Sequence, residues 1–294
     1  MGWKILRLLI TDNCNYTCEF CHLEGQDKKA HPGQRLELQE LVQVVAEFYK
    51  YGVREIQISG GEPILSKNFM PLLQNLGQYA DLDIGFATNG SRLDLETIGV
   101  IKDNSVSVNI NVPSADSARY SLLTGGGNLS TVLNNIRLLM GENIPICLNT
   151  VLMPGSREDC ISAIDLAIKT GIKIKILPQL FTDVAAIQKE IEWFKSYVIT
   201  LGAPLEANSS QRLRWEYKVE GKTNEIHLLQ NPCNLNQCDV CFDYGEIRLL
   251  PIGALMPCIK ENKRTNSVMD ESGRLDISGI QSKLERTWIE FTQI

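Results

Sequence analysis

The chain has 294 residues, 44% of them hydrophobic and 22% charged, with a formal net charge of −6. That composition suits a globular protein, and the acidic balance excludes a general nucleic-acid binder, which needs a basic surface to displace counterions. No apolar run approaches the roughly 20 residues that span a bilayer, and the start Met1-Gly2-Trp3-Lys4 lacks a signal-peptide layout, so a cytoplasmic protein with no membrane contact is expected.

Strand-like segments are predicted at 5–11, 55–59, 83–87, 105–111, 145–152 and 173–177. Helix-like stretches follow them at 36–51, 69–79, 93–102, 130–140, 157–170 and 185–201; in the first, Leu38, Leu41, Val44, Val45 and Phe48 recur at helical spacing. Strand–helix alternation of this kind implies parallel strands with right-handed crossovers. Six units fall short of the eight of a closed barrel. The expected fold is therefore α/β, a partial (β/α)6 TIM barrel over residues 1–201. Beyond it the pattern changes to short strands at 215–219 and 225–229, a hairpin of 242–250 with 254–257 around Pro251-Ile252-Gly253, and a tail helix at 277–292. Residues 202–294 are expected to form a C-terminal cysteine-rich unit, across a soft boundary without a linker.

Nine cysteines in a cytoplasmic protein favour metal binding over disulfides. Cys147 and Cys160 stand alone and read as small buried hydrophobes. The other seven form two groups. Cys14, Cys18 and Cys21 have the spacing C-x3-C-x2-C, directly after the first strand. Three thiolates on one loop hold three irons of a [4Fe–4S] cube and leave the fourth open to a small molecule. That asymmetry suits catalysis. The competing reading, a zinc knuckle, wants four ligands and C-x2-C pairs. The second group is Cys233, Cys238, Cys241 and Cys258. It suits zinc or an auxiliary iron–sulfur cluster, and the first group favours the latter. Whether Cys233 is a ligand stays open: three ligands leave an open iron for substrate, and four saturate the cube.

Four further features carry chemistry. Ser59-Gly60-Gly61-Glu62-Pro63 follows the second strand, and its bare backbone suits close approach to a small molecule. Thr88-Asn89-Gly90 closes the third strand, where barrel residues face an active site. Asn109 and Asn111 share one face of the fourth strand, and Asn149 on the fifth extends a polar interior. Lys173 and Lys175 alternate with isoleucines on the sixth strand, either facing the barrel or blunting an exposed edge.

The cysteine triple, with Phe20 before its third member, resembles the radical S-adenosylmethionine (SAM) enzymes. The resemblance implies that Cys14, Cys18 and Cys21 hold a cube whose open iron binds the amino and carboxylate groups of SAM. An electron from the cube then cleaves SAM to methionine and a 5′-deoxyadenosyl radical. It also implies that Phe20, Gly60, Gly61, Glu62, Pro63, Thr88, Asn89, Asn109 and Asn149 line the SAM site, and that a reductant such as flavodoxin or ferredoxin is the protein partner.

More narrowly, residues 4–260 resemble the GTP 3′,8-cyclase-like family of molybdenum cofactor biosynthesis. The likeness rests on 6–12, Cys21-His22-Leu23-Glu24-Gly25, 58–65, 87–90, Leu123-Thr124-Gly125 and Asn149-Thr150-Val151. It implies a twitch-like auxiliary cluster on Cys238, Cys241 and Cys258, and substrate contacts from Asn111, Lys175 and Arg248. The departures remove cations: Asn13 stands in place of Arg, Ser66 (with Lys67 next) in place of a basic residue, and Cys147 in place of Lys. Lys175 replaces an Arg, and Asn111 a Ser. A triphosphate site stripped of charge-assisted contacts binds GTP poorly. The expected enzyme carries two [4Fe–4S] clusters and SAM and acts on a changed small-molecule substrate. Peptide modification, GTP cyclisation itself and a non-catalytic zinc protein are the alternatives.

Overall fold

A computed structural model describes residues 2–23, 34–209, 212–219, 221–229, 233, 238–260 and 266–293. Glu24 and Gly25 of the cysteine-loop motif lie outside these residues. Six strands, β1 (Ile5–Leu9), β2 (Glu55–Ser59), β3 (Asp83–Thr88), β4 (Ser107–Asn111), β5 (Ile146–Leu152) and β6 (Lys173–Pro178), lie side by side in chain order and all pair in parallel. Side chains alternate across a strand. Ile56, Ile58, Ile84, Phe86, Val108, Ile110, Leu148, Ile174 and Ile176 are buried in the main core. The residues between them, Gln57, Asn109, Asn149 and Lys175 among them, occupy the other face.

The outer layer is helical. The helices α1 (Leu38–Tyr51), α2 (Phe69–Leu76), α3 (Leu95–Asp103), α4 (Ser117–Thr124), α5 (Leu129–Gly141), α6 (Arg157–Thr170) and α7 (Val184–Val198) connect or follow the strands. The sequence starts several of them with a capping side chain. Asp94 accepts from Thr97 N at 2.8 Å, Asn128 from Thr131 N at 3.1 Å and Asp183 from Ala186 N at 2.7 Å. Each such cap is worth about 1 kcal/mol. In α1 the predicted stripe faces inward, with Leu41, Val44, Val45 and Phe48 buried.

The segment after 202 extends this sheet at both edges. An antiparallel ribbon of β7 (Ala203–Ser209), β8 (Arg212–Val219) and β9 (Lys222–Leu229) attaches through β9, which runs parallel to β6. At the opposite edge, α8 (Cys238–Tyr244) leads into β10 (Glu246–Leu249), parallel to β1, followed by β11 (Ala254–Met256) and β12 (Asn266–Ser267). Among the described residues the sheet has twelve strands, with β12 and β7 unpaired with each other at its two ends, so it is not closed, as befits an open, partial barrel. The last helix, α9 (Ile280–Thr292), docks on the N-terminus: Trp3 Nε1 donates to Leu284 O at 3.0 Å, and the Trp3 ring meets Trp288 edge-on at 4.8 Å.

Three expectations need correction. The stretch 242–250 is not one strand, because Phe242–Tyr244 finish α8 and Gly245 separates it from β10. The ribbon is longer than two short strands and includes β7. The helix α4 escaped the sequence pattern because only Tyr120, Leu123 and Thr124 of its eight residues are buried, too few to set a period. The structure also decides between the two readings of Lys173 and Lys175. β6 is an interior strand, covered by β9, so these lysines do not blunt an edge.

Candidate active site

The cysteine loop leaves the C-terminal end of β1, and two neighbours hold it. From one side, the turn after β2 presses against it. Gly61 N donates to Thr11 O at 2.8 Å and Glu62 N to Asn13 O at 2.7 Å. A Cβ on Gly60 would stand 2.3 Å from Thr11 O, and one on Gly61 2.1 Å from Asn13 O. Only glycine permits that approach, and Gly60 also has φ +135°. The paired glycines therefore serve the cysteine loop first. From the other side, α4 supplies carbonyls: Thr17 N donates to Thr124 O at 3.2 Å and Glu19 N to Leu123 O at 2.9 Å. Sequence reasoning found Leu123-Thr124-Gly125 as a likeness but missed the helix that makes it a support.

Glu62 joins the turn to the end of β3. The residue is 1% exposed. Its carboxylate accepts from Thr88 Oγ1 at 2.7 Å, Asn89 N at 2.7 Å and Ile64 N at 3.4 Å. Burial pushes its pKa up to about 7, against the opposing pull of these hydrogen bonds. Asn89 Nδ2 then donates to Asn15 Oδ1 at 2.9 Å, inside the cysteine loop. Glu62, Thr88 and Asn89 thus form one hydrogen-bonded unit with the loop. Pro63 opens a short 3-10 turn and is buried.

Cys14 and Cys21 are exposed, Cys18 is half-buried, and none of the three is in a disulfide with another described residue. They lie close enough to interact. Burial raises Cys18 to about 12, and the nearby Cys21 and Cys14 sulfurs add to the rise. Cys14 is raised too, by burial first. Phe20 sits half-buried beside Cys21.

The second set also converges. Cys233 and Cys241 share a sulfur–sulfur hydrogen bond, which lowers the first thiol and raises the second. Cys238 and Cys258 both lie within electrostatic reach of Cys241. Among the described residues, no three ligand-type side chains close in tightly enough to grip a single metal ion. The fit of both sets to iron–sulfur cubes therefore rests on donor type and convergence: thiolates, three on one loop and four together.

The Radical SAM superfamily model matches residues 8–167. The chain belongs to the radical SAM superfamily. SAM and a [4Fe–4S] cluster are the cofactors of that family, and the chain is an enzyme. Among curated relatives, the GTP 3′,8-cyclase of Alkaliphilus metalliredigens is 29% identical over 308 residues, covering 97% of this chain and 91% of that protein. The GTP 3′,8-cyclase of Hydrogenovibrio crunogenus is 27% identical over 271 residues, covering 86% of this chain and 80% of that one. Among solved structures, Streptococcus suis SuiB bound to S-adenosylmethionine superposes with a TM-score of 0.69 at 14% identity, covering 95% of this chain. The chain spans 64% of SuiB's length, and the likeness is one of fold. Among the described residues, no helix is long and apolar enough to cross a membrane.

Inside this radical SAM barrel, polar residues line the wall. Asn109 is buried, and its Oδ1 accepts from Lys175 Nζ at 2.8 Å. Asn111 and Asn149 are neighbours in register on β4 and β5. Cys147 is buried next to Lys175 and Lys173, and burial raises its thiol. At the β1–β10 seam, Arg7 and Arg248 are in register. Between them lies Glu246, which sequence reasoning missed. Arg7 grips its carboxylate through two bonds, at 3.1 and 2.9 Å, and Arg248 meets it at 2.6 Å. Burial, then the Arg7 charge, pull Arg248 down to about 9. Arg248 is within electrostatic reach of Cys258 in the second set and of His22 beside the first. Also missed were Arg212, Arg214, Glu225 and His227 on the ribbon. Their signal was alternation, with Trp215, Tyr217, Ile226 and Leu228 as the buried partners.

Proposed function

We propose that this enzyme modifies a small molecule carrying less negative charge than GTP, held in the barrel interior between its two cysteine sets. The cluster and SAM, when bound, supply a 5′-deoxyadenosyl radical. The chain's own residues position the reactants. Cys14, Cys18 and Cys21 hold the first cluster. Gly60, Gly61, Glu62, Pro63, Thr88 and Asn89, with Phe20 and Asn109, shape the SAM side, and Asn149, in register with Asn111 and Lys175, stands where that side meets the substrate. Asn111, Lys175 and Arg248 face the substrate. Residues 202–294 form the auxiliary unit, in which Cys233 joins Cys238, Cys241 and Cys258 around a second cluster. The sulfur contact between Cys233 and Cys241 favours four ligands over three. A flavodoxin or ferredoxin supplies electrons.

The observation that carries the substrate reading is the Arg7–Glu246–Arg248 triad. A guanidinium that could grip a phosphate already faces a buried carboxylate. Glu246 cancels one of the two charges and engages guanidinium N–H donors of both arginines, so the pair has less charge and fewer donors to offer a polyanion. With Cys147 and Ser66 in place of cations, the interior is poorly matched to a triphosphate. The relatives' substrate supplies the test. Incubated with GTP, SAM and dithionite without oxygen, the enzyme should form no 3′,8-cyclised product. Cyclisation at a rate like that of a GTP 3′,8-cyclase would refute the reading.

A further inference from the structure

One row of side chains crosses the barrel wall beyond the residues found in the sequence. Asn111 is in register with Asn149, Asn149 with Lys175, Lys175 with His227 and His227 with Arg214. Five adjacent strands therefore contribute to one level, about 4.8 Å apart. The flanking residues fix which face this is. Ile226 and Leu228 are buried in the apolar core, and Trp215 packs edge-on against Phe194 of α7 at 5.8 Å. By alternation, His227 and Arg214 point the other way, to the face that carries Lys175.

His227 is 5% exposed. Its Nε2 is hydrogen-bonded to Glu225 Oε2. A carboxylate only accepts, so Nε2 carries the proton and Nδ1 presents a lone pair. Glu225 is ionised: burial acts to raise it, but the His227 hydrogen bond and nearby cations hold it below its ordinary value. The groups facing His227 are Glu225 on its own strand, Lys173 on β6 and Arg212 on β8, with Lys175 and Arg214 in register on either side. Burial first, and then Lys173 and Arg212, keep the imidazole below its ordinary value despite Glu225. It is neutral, and Nδ1 is an acceptor.

Among the described residues, that buried Nδ1 has no hydrogen-bond partner, and neither has Asn149 Oδ1, two strands away in the same row. Buried polar atoms are almost always paired. Two unpaired acceptors on one wall call for a ligand that brings donors. A fully ionised phosphate or carboxylate brings only acceptors and would satisfy neither atom. We propose that His227 and Asn149 are substrate-binding residues that receive N–H or O–H groups of an uncharged, nucleoside-sized part of the substrate, with Glu225 fixing the His227 tautomer. This rests on the barrel interior being the substrate site of the radical SAM enzyme.

The test is calorimetric titration of the anaerobic, cluster-loaded enzyme with guanosine, with inorganic triphosphate and, separately, with SAM. Guanosine offers donors on its base and its ribose. Wild type should bind it, and His227→Phe should bind it roughly three- to tenfold more weakly, the worth of one hydrogen bond. His227→Gln, which keeps an acceptor, should stay within about twofold of wild type. SAM affinity should be unchanged in both variants, which reports that they fold. If His227→Phe does not fold, Asn149→Leu reads the other acceptor by guanosine titration, with circular dichroism in place of SAM affinity to report its fold. Absence of guanosine binding to wild type, equal guanosine affinity in His227→Phe, or a loss confined to triphosphate would each overturn the proposal. Absence of SAM binding to wild type would instead strike the placement of the SAM site.

Discussion

Replacing Glu62 with Gln tests how the SAM-side turn is held. The native carboxylate accepts three hydrogen bonds, two of them at 2.7 Å. Gln presents one oxygen and one NH2, so the Asn89 N–H or the Ile64 N–H faces a donor instead. Leaving one buried donor unmatched costs about 1–3 kcal/mol. The second effect is pH. The native pKa is raised from 4.5 to about 7. The folded state then binds the Glu62 proton more tightly than the unfolded chain does, so wild-type stability falls as pH rises from about 4.5 and levels off above about 7. Linkage between those values gives a loss of about 2 kcal/mol from pH ~5.5 to pH ~8. Glu62→Gln has no such proton to lose. Its deficit relative to wild type should therefore be largest at low pH and shrink by about 2 kcal/mol toward pH ~8. The assay is urea unfolding of cluster-free protein at several pH values, followed by tryptophan fluorescence. A deficit that is flat with pH, or grows with it, would refute the argument that burial dominates at Glu62.

Two further outcomes follow from the packing of the cysteine groups. Cys233→Ala should lose about four of the roughly eight irons expected for two cubes, measured after anaerobic reconstitution, and full iron content would reduce the auxiliary set to three ligands. Gly61→Ala should misplace the cysteine loop, because its Cβ would stand 2.1 Å from Asn13 O. SAM cleavage should fall more than tenfold while bulk secondary structure by circular dichroism stays near wild type, and an unimpaired Gly61→Ala enzyme would show that the approach is not needed.

What the sequence revealed was local. Cys14, Cys18 and Cys21 carry their chemistry in their spacing, and the alternation of Asn109 and Asn111 with apolar neighbours placed both on one face, whereas for Lys173 and Lys175 alternation left a barrel-facing and an edge position equally open until β9 was found beside β6. The six strand–helix units were legible for the same reason. What stayed hidden depends on distant pairing. Glu246 becomes a counter-ion only because β10 lies beside β1, which puts it against Arg7 across 239 residues. His227 and Arg214 reach the interior only because β9 pairs with β6. In both strands the period-two pattern was present, but nothing in it named the neighbouring strand. The helix α4 was hidden for a different reason: its weak amphipathic stripe gives little signal, although Tyr120 is fully buried.

The central claim is that the loop of Cys14, Cys18 and Cys21 supports reductive cleavage of SAM. The direct measurement is 5′-deoxyadenosine formed from SAM and dithionite, without oxygen, by wild type and by Cys18→Ala. Wild type should form 5′-deoxyadenosine and methionine, and Cys18→Ala should form none above the enzyme-free background. Equal formation by the two proteins would contradict the account.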